Sequence, residues 1–478
     1  MSKPFRPFPA LILAFAITAT FLADSYGQQV ETKIELAPDG KASVTGRFSG
    51  PDRPKNPRSF AFERLSVGVD TVSKRVSDLE LFDDNAQPVT FRKLIEGEFL
   101  ADRDITAWRY KMDLSPLRER AAAAHYSWID RSRGILVGRD LLPLSAVSGR
   151  VIIEAHGVEP IVWTGDAIRE SVAAVGNTWT KTAIKSSPLV LFLDGQRHFD
   201  MNEAATMIAE IYASHFDLFR QHTGPGQVLL AQFPVQTPPG HWEAETQRST
   251  VTIVSSDMPF RTQSLQRLHE QLRHELFHLW IPNGVNLTGS YDWFYEGFAL
   301  YRSLKLAVSV NRIRFEDFLD TLSRAHTLDS AYSQRTSLIQ ASANRFSGAS
   351  TQVYARGMLV AFLIDLELMK GSKGKKSVED VLRGLFEKHR KPAEPVDGNT
   401  AILGALKASP ELVPVIEKYI SGAERIDWAA NISVAGIEDS DAGPITVLRV
   451  KGKPSGREKT LLDKLGYNNW RKLSPNSK

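Results

Sequence analysis

The segment 274–301 constrains the fold of this chain more than any other stretch, because it places candidate metal ligands on apolar helices. It opens with a His-Glu-x-x-His pattern, in which His274 and His278 are four residues apart. In an α-helix this spacing puts both imidazoles on one face, one turn apart, where they can bind the same metal ion. Glu275 follows the first histidine, and its carboxylate can reach a water molecule on that metal. The pattern therefore predicts a zinc site.

A third candidate ligand, Glu296, follows His278 by 18 positions. Proline, asparagine and glycine at 282–284 predict a turn after the first helix, and a second helix from about Asp292 presents Glu296 to the histidines. A catalytic zinc ion has three protein ligands and an open fourth position, which this set supplies. The alternative is an ordinary pair of helical histidines. Two histidines and a glutamate facing an apolar interior would cost free energy unless a metal satisfied them.

The composition excludes several other kinds of chemistry. The chain has no cysteine, which rules out disulfides, thiol catalysis, cysteine-ligated zinc and a bacterial lipoprotein anchor. Its net charge of +4 is not gathered into a basic stripe with interleaved aromatic residues, so we expect no nucleic-acid partner. The length of 478 residues and the 42% hydrophobic content predict two or three globular domains. The oligomeric state stays open.

Residues 1–27 have the pattern of a secretory signal peptide. Lys3 and Arg6 provide a positive start, and 10–23 is an apolar run that ends near small residues, so Gln28 is the predicted mature start. The apolar run is shorter than the ~20 residues of a membrane span. We therefore expect no stable membrane insertion after cleavage, and a periplasmic or secreted protein. An uncleaved anchor is the alternative.

Residues 28–165 alternate between apolar and polar side chains and predict an N-terminal antiparallel β domain. The segments 32–36 and 42–48 flank Asp39-Gly40 and predict a β-hairpin. His125 and His156 have no partner at ligand spacing, and we interpret both as structural. This domain is expected to form one wall of a substrate cleft.

Residues 166–425 predict a catalytic domain that combines a small sheet with an α-rich lobe, so the fold class is α+β. The segment 189–193 is a continuous apolar run typical of a buried strand. Two more strands are predicted at 228–233 and 250–254, and 238–246 between them is interpreted as a polar loop. A strand beside the metal can bind an extended peptide through main-chain hydrogen bonds. Predicted helices cover 201–222, 315–326, 353–369 and 377–389.

The segments 274–280 and 293–301 resemble the gluzincin metallopeptidases. The resemblance is closer to the M61 glycyl aminopeptidase family than to the larger M1 aminopeptidases, and 353–357 followed by 363–366 is similar to the tyrosine-glycine helix of M61. It covers about residues 30–425 and is strongest over 240–390. It implies a thermolysin-like (gluzincin) catalytic domain.

Residue by residue, the resemblance implies one zinc ion with His274, His278 and Glu296 as ligands. It also implies Glu275 as the general base and Tyr354 as a hydroxyl donor near the developing oxyanion. Zinc lowers the pKa of its water to roughly 7, which allows such a base to act near neutral pH.

The resemblance also indicates where the chain departs from the family. Glu245 aligns with the glutamate that meets the free amine of the substrate, but Trp242 and Glu243 replace two glycines, and Thr246 replaces a histidine. Many relatives carry a PDZ domain after the catalytic part. The predicted C-terminal segment 426–478 is too short for a complete one, and we expect a short appendage or tail.

These features predict a zinc metallopeptidase, specifically an aminopeptidase that hydrolyses short peptides. Two alternatives stay open. One is a zinc endopeptidase or other hydrolase without a free-amine requirement. The other is a catalytically weak periplasmic protein that binds peptides.

Overall fold

The computed structural model describes residues 29–472, except for 38, 51–56, 66–68, 70–71, 132, 156–158 and 443–444. The predicted signal peptide, the predicted mature start at Gln28, and His156 lie outside the described residues. In the part of the chain that is described, no helix is both long and apolar enough to cross a membrane.

The N-terminal part is built on a twisted seven-stranded sheet. Its order is β12-β11-β1-β2-β8-β4-β5, with β1 and β11 parallel and the other neighbours antiparallel. Two three-stranded sheets, β3-β7-β6 and β13-β10-β9, accompany it. The strands are β1 (Gln29–Leu36), β2 (Lys41–Phe48), β3 (Ser59–Ala61), β4 (Val76–Phe82), β5 (Pro88–Val89), β6 (Phe91–Ile95), β7 (Glu98–Ala101), β8 (Ala107–Asp113), β9 (Trp128–Asp130), β10 (Arg133–Val137), β11 (Ser148–Ala155), β12 (Ile161–Asp166) and β13 (Val172–Gly176), with a short helix α1 (Gly138–Leu141).

Strict alternation of buried and exposed side chains in β1 and β2 explains why this hairpin was predictable. Val30, Ile34 and Val44 face the core, where they meet Trp108 and Tyr110 of β8. Each strand of the pair buries one face only, and period-two patterning is the sequence signal of such strands.

A five-stranded sheet follows in the chain, in the order β14-β15-β16-β18-β17. Strands β15, β16 and β18 are parallel, and β17 is antiparallel to β18 at the edge. The bounds are β14 (Thr180–Ala183), β15 (Leu189–Leu193), β16 (Gly226–Gln232), β17 (Trp242–Gln247) and β18 (Thr250–Ser255).

The edge strand β17 corrects the prediction of a polar loop over 238–246. Trp242 and Ala244 pack against the core, whereas Glu243 and Glu245 alternate with them and line a cavity. Because carboxylates occupy the exposed face, the segment lacks the apolar character that marked the other strands. Arg248, with φ of 48°, makes the tight turn into β18.

The rest of the chain is predominantly helical. Helices α4 and α7 form its centre, and they approach so closely that a Cβ on Gly297 would lie 2.4 Å from the carbonyl carbon of Gly357. Glycine at both positions therefore allows backbone-to-backbone packing. The helices are α2 (Met201–Phe219), α3 (Arg261–Glu275), α4 (Asp292–Ser309), α5 (Phe315–Ala331), α6 (Leu338–Ala343), α7 (Gly357–Ser372), α8 (Val378–His389), α9 (Gly398–Lys407), α10 (Val413–Val415), α11 (Trp428–Ile432) and α12 (Gly456–Gly466), with short strands β19 (Leu287–Thr288) and β20 (Val396–Asp397).

The C-terminal segment is more ordered than an appendage or tail. A hairpin of β21 (Ile437–Ala442) and β22 (Ile445–Val450) lies against α5, and α12 packs beside it. Trp428, Leu448, Leu462 and Trp470 belong to the same apolar core as the central helices. Up to residue 472, the segment is therefore an integral part of the helical region.

The predicted fold class is confirmed: a β-rich N-terminal part precedes a small sheet and an α-rich region. The predicted domain boundaries near 165 and 425 stay predictions. Strand β13 follows β12 in the chain and pairs with β10. Side chains of β13 pack in one apolar cluster with Trp128 and with Leu229 and Phe233 from the region of the five-stranded sheet.

Candidate metal centre

Three side chains predicted as ligands converge on one point. Helix α3 ends at Glu275, and a single 3₁₀ turn, Leu276–Leu279, continues its direction and carries His278. The Nε2 atom of His274 lies 3.1 Å from Nε2 of His278 and 3.1 Å from Oε2 of Glu296, and His278 Nε2 lies 3.6 Å from that oxygen. Tetrahedral zinc with bonds of about 2.0 Å separates its ligands by about 3.3 Å. The residues present therefore fit a zinc ion.

Neighbouring groups orient this set. The Nδ1 atom of His278 donates to the carbonyl oxygen of Ile281 at 3.1 Å, which holds the ring with Nε2 toward His274 and Glu296. The Nη2 atom of Arg345 lies 2.8 Å from Oε1, the other carboxylate oxygen of Glu296. Although burial opposes ionisation of Glu296, hydrogen bonds from His274 and His278 hold its pKa well below the usual range. The glutamate is therefore an anion, as a metal ligand must be.

Glu275 is buried beside the ligands, and Thr246 of β17 holds its carboxylate. Thr246 Oγ1 donates to Glu275 Oε2 over 2.7 Å, and the same hydroxyl lies 3.0 Å from the Glu275 carbonyl oxygen. Burial raises the pKa of Glu275, while His274 and His278 act in the opposite direction. A carboxylate with a raised pKa is a stronger base than an exposed one, which suits proton transfer.

Tyr354 lies on the π-helical turn Gln352–Arg356 that leads into α7, and its hydroxyl receives a hydrogen bond from Arg345. Burial, followed by the charge of Glu296, raises the pKa of Tyr354 above its usual value. The phenol therefore stays protonated and can donate a hydrogen bond to a substrate oxygen.

Arg345 is a residue that the sequence analysis missed. Its guanidinium contacts Tyr354, pairs with Glu296 Oε1 at 2.8 Å, and pairs with Asp292 Oδ1 at 3.0 Å. It lies between α6 and α7 on a short 3₁₀ turn, in a polar stretch without periodicity. No spacing rule singles out a residue in such a turn, so only the folded arrangement identifies it.

Glu245 and His125 line the same cavity, so His125, which we interpreted as structural, lies beside a predicted site residue. Glu245 Oε2 is 3.3 Å from His125 Nδ1, so the N-terminal part contributes a side chain to the cleft. Burial opposes ionisation of Glu245, but the charge of His125 and its hydrogen bond lower the pKa of the carboxyl. The structure thus presents a carboxylate beside the candidate metal site, although no sequence spacing linked the two residues.

Two cavities meet at this centre, and His274, Glu275 and Tyr354 line both. One, of about 700 Å³, includes the C-terminal half of β17 with Glu245. The other, of about 980 Å³, includes the N-terminal half of β17 and extends between α3, α4 and α5. The candidate metal ligands therefore line the 700 Å³ cavity, and His274 connects it to the larger one along β17.

No family of aligned sequences matches this chain, and no curated protein is similar to it in sequence. Its fold is similar to solved structures. An aminopeptidase N family protein from Idiomarina loihiensis superposes with a TM-score of 0.70 at 14% identity, over 90% of this chain and 82% of that one. An M1 zinc metallopeptidase variant from Deinococcus radiodurans, bound to a Tyr-Ser-Ala substrate, has a TM-score of 0.53 at 16% identity, over 84% and 95% of the two chains. A two-domain M1 zinc metallopeptidase variant bound to L-tryptophan gives the same values.

These structural neighbours are M1-type zinc metallopeptidases, and they establish the fold of this chain. At such low identity, the roles of individual residues rest on the geometry described above.

Proposed function

We propose that this chain is a zinc-dependent aminopeptidase that hydrolyses short peptides, with features of the M61 glycyl aminopeptidases, in the periplasm or outside the cell. One observation carries the proposal. The ligand atoms of His274, His278 and Glu296 lie within 4.8 Å of one another, beside a buried glutamate and a buried tyrosine in an open groove. Such a set has the three protein ligands and the accessible remaining position of a catalytic zinc site.

Each of the surrounding residues has a defined task in peptide hydrolysis. A zinc ion bound by His274, His278 and Glu296 supplies Lewis-acid chemistry, polarising a carbonyl group and acidifying a water molecule. The Glu275 carboxylate accepts the proton of the attacking water and passes it to the nitrogen of the leaving amine. The Tyr354 hydroxyl donates a hydrogen bond to the carbonyl oxygen as negative charge develops there. Thr246 keeps the Glu275 carboxylate turned toward the site.

The edge of β17 supports an extended substrate. Its inner edge is paired with β18, so the other edge of Trp242–Gln247 offers main-chain donors and acceptors to a peptide. Glu245 then meets the amino terminus of the substrate as an anion, and His125 holds that carboxylate in place. Neighbouring structures that hold a tripeptide substrate and a free amino acid are consistent with a site for an amino-terminal residue.

A second candidate function is an endopeptidase without a free-amine requirement. The cavity that contains Glu245 continues past Gln247, Arg248 and Asn283, which also line a larger cavity of about 1070 Å³. A chain extended at its amino end could use that space. The Glu245 carboxylate favours the aminopeptidase, because it forms an ion pair with a free ammonium group and only a hydrogen bond with a backbone amide.

Peptides with free and acetylated amino termini separate these functions. We expect purified, zinc-loaded protein to cleave the free peptide, with complete loss of cleavage in a chelator and recovery on adding zinc. Glu245→Gln should lower kcat/KM for the free peptide by about 100-fold and leave acetylated peptides equally poor, because a buried charge-assisted contact is lost. Glu387→Gln, at an exposed position of α8 outside both cavities of the groove, is the matched control and should be unaffected. Equal cleavage of free and acetylated peptides would reject the aminopeptidase in favour of the endopeptidase.

A further inference from the structure

Arg273, immediately before the first candidate ligand on α3, is a buried cation with neutral partners. Arg273 is only 4% exposed to solvent. Its Nε atom donates to Ser303 Oγ at 3.1 Å, and Nη1 donates to His269 Nδ1. Arginine carries its charge at pH 7, and because Nδ1 of His269 accepts this hydrogen bond, the histidine ring is neutral.

The other buried arginines among the described residues each have a carboxylate partner. Arg75 pairs with Asp140 at 3.0 Å, Arg302 with Glu379 at 3.2 Å, and Arg356 with Asp329 at 3.2 Å. Within the described ranges, no carboxylate oxygen lies within ion-pair distance of Arg273. A buried charge without a counter-charge costs free energy. Arg273 therefore differs from the other buried arginines, which each have a carboxylate partner.

His269 adds an unused donor at the same place. Since Nδ1 accepts from Arg273, the proton of the neutral ring is on Nε2, and that buried atom has no hydrogen-bond partner among the described residues. A carboxylate accepts several hydrogen bonds at once, and arginine provides a planar fork that matches it. The pair Arg273 and His269 is therefore equipped to bind a carboxylate.

The position of this pair relative to the reaction centre indicates which carboxylate it meets. Arg273 and His269 line the 980 Å³ cavity, which shares His274, Glu275 and Tyr354 with the catalytic cleft. Glu245 lines the other cavity and not this one, whereas Arg273 and His269 line this one and not the other. With the amino terminus of a peptide at Glu245, its residues beyond the bond that is cleaved enter the cavity that contains Arg273.

The remaining charges of this cavity are mostly engaged elsewhere. Glu270 pairs with Arg267 at 2.8 Å, Asp317 with Arg314 at 3.2 Å, and Arg312 with Glu210 at 3.1 Å. These partners lie at the surface, whereas Arg273 and His269 are buried at its wall. Arg273 is thus the buried cation at the wall of this cavity, whereas Arg324, which donates to Thr321 Oγ1, is exposed.

We propose that Arg273, with His269, forms a subsite that binds the C-terminal carboxylate of a short peptide, which makes free-acid peptides of limited length the substrate class. This inference rests on the proposed function only for the identity of the ligand as a peptide. Affinity should be highest at the one peptide length whose two ends reach Glu245 and Arg273 together.

Binding to zinc-loaded Glu275→Gln protein, measured by titration calorimetry, tests the subsite without requiring turnover. The probes are alanine peptides of two to five residues, each as the free acid and as the C-terminal amide, and Ala-Ala-Asp amide as a source of a side-chain carboxylate. We expect the free acid of the best length to bind about tenfold more tightly than its amide, as for a charge-assisted contact. Tight binding of Ala-Ala-Asp amide and not of the free acids would show that the subsite reads an acidic side chain, and would overturn the proposal.

Variants distinguish a ligand contact from a structural role. In the Glu275→Gln background, Arg273→Met should abolish the preference for the free acid and leave the affinity for the amide and the zinc content unchanged. Arg273→Lys should retain part of the preference, and Arg324→Gln, an exposed arginine of the same cavity, should retain all of it. Equal weakening of acid and amide in Arg273→Met would overturn the proposal. Absence of turnover in the wild type, together with an intact acid preference, would reject the proposed function and not the subsite.

Discussion

Arg345 connects two parts of the candidate centre that lie on different helices. It pairs with the outer oxygen of Glu296 on α4 and donates a hydrogen bond to Tyr354 before α7. A cation on the far oxygen of a ligating carboxylate fixes its orientation, and outer-shell contacts of this kind commonly change metal affinity by 10–100-fold. Arg345 therefore links metal binding to the placement of the tyrosine hydroxyl.

Replacing Arg345 by Met should weaken zinc binding by about 10-fold or more and lower kcat, since the carboxylate and the phenol each lose a partner. Competition with a fluorescent chelator measures the affinity, and initial rates at saturating zinc measure kcat separately. Arg345→Lys keeps the charge and should recover much of the zinc affinity but less of the rate, because one ammonium cannot reproduce the fork of contacts. Unchanged zinc affinity and rate in Arg345→Met would show that the contacts have no role.

The meeting of His274, His278, Glu275 and Glu296 was predictable because their spacing is local. Four residues of a helix fix the geometry of His274 and His278, and an amphipathic second helix presents Glu296. His125, Thr246 and Arg345 were not recognised as members of the site. Each comes from a distant strand or turn, and their meeting depends on tertiary packing that no local periodicity encodes.

Among the elements, the contact between α4 and α7 places Glu296 and Tyr354 on one centre. We expect Gly297→Ala to destabilise the protein by about 2 kcal/mol, because the added methyl group would overlap the backbone of α7. Chemical denaturation gives the free energy of unfolding. Gly404→Ala in α9 is the control: nothing lies within 4 Å of its added Cβ, so it should be neutral or stabilising by about 0.5–1 kcal/mol from helix propensity. Equal stability of the two variants would contradict the close packing.

A buried histidine of α5, His326, is hydrogen-bonded to the C-terminal hairpin. We expect the protein to lose stability in acid because of it. His326 accepts a hydrogen bond from Thr446 of β22 at Nδ1 and donates from Nε2 to the Ile426 carbonyl oxygen at 3.4 Å, so it is neutral. Burial lowers the pKa of His326 to about 4, below its unfolded value of about 6.5. The unfolded chain therefore binds the extra proton between these values, and stability falls as the pH drops from 6.5 to 4.

Protonation of His326 should lower the free energy of unfolding by about 3 kcal/mol in acid. His326→Gln should not show this loss, because glutamine does not titrate. Unfolding free energies measured from pH 7.5 to pH 4.5 give the slope for each protein. His222→Gln, at an exposed histidine that follows α2, should keep the full slope. The same slope in His326→Gln and wild type would show that His326 does not titrate as its surroundings imply.

Sequence patterns identified the elements unevenly. The apolar strands and the amphipathic helices were predicted because one buried face repeats at a fixed period. Strand β17 was predicted as a loop because Glu243 and Glu245 line the cleft, so the segment lacks the run of apolar side chains that marks the other strands. The hairpin and helix after residue 426 were also missed, since their apolar side chains are few and gain their burial only against α5 and the central core.

In the whole molecule, packing of the β-rich part, the small sheet and the helices forms a groove that contains the candidate metal centre, Glu245 and Arg273. The β-rich part supplies His125 behind Glu245, the small sheet supplies the edge strand, and the helices supply the metal ligands and Arg273. The division into a β part and an α-rich part followed from composition and periodicity. The groove itself depends on how these parts pack together, and sequence patterns carry no such information.

The central claim is that His274, His278 and Glu296 hold a zinc ion that acts together with Glu275. The most direct measurement combines zinc content by elemental analysis with cleavage rates of an unblocked peptide, for the wild type and Glu275→Gln. We predict one zinc per chain in both proteins and a rate at least about 10²–10⁴-fold lower in the variant, as expected when a general base is removed. Full activity in zinc-loaded Glu275→Gln, or a wild type that binds no zinc, would contradict the account.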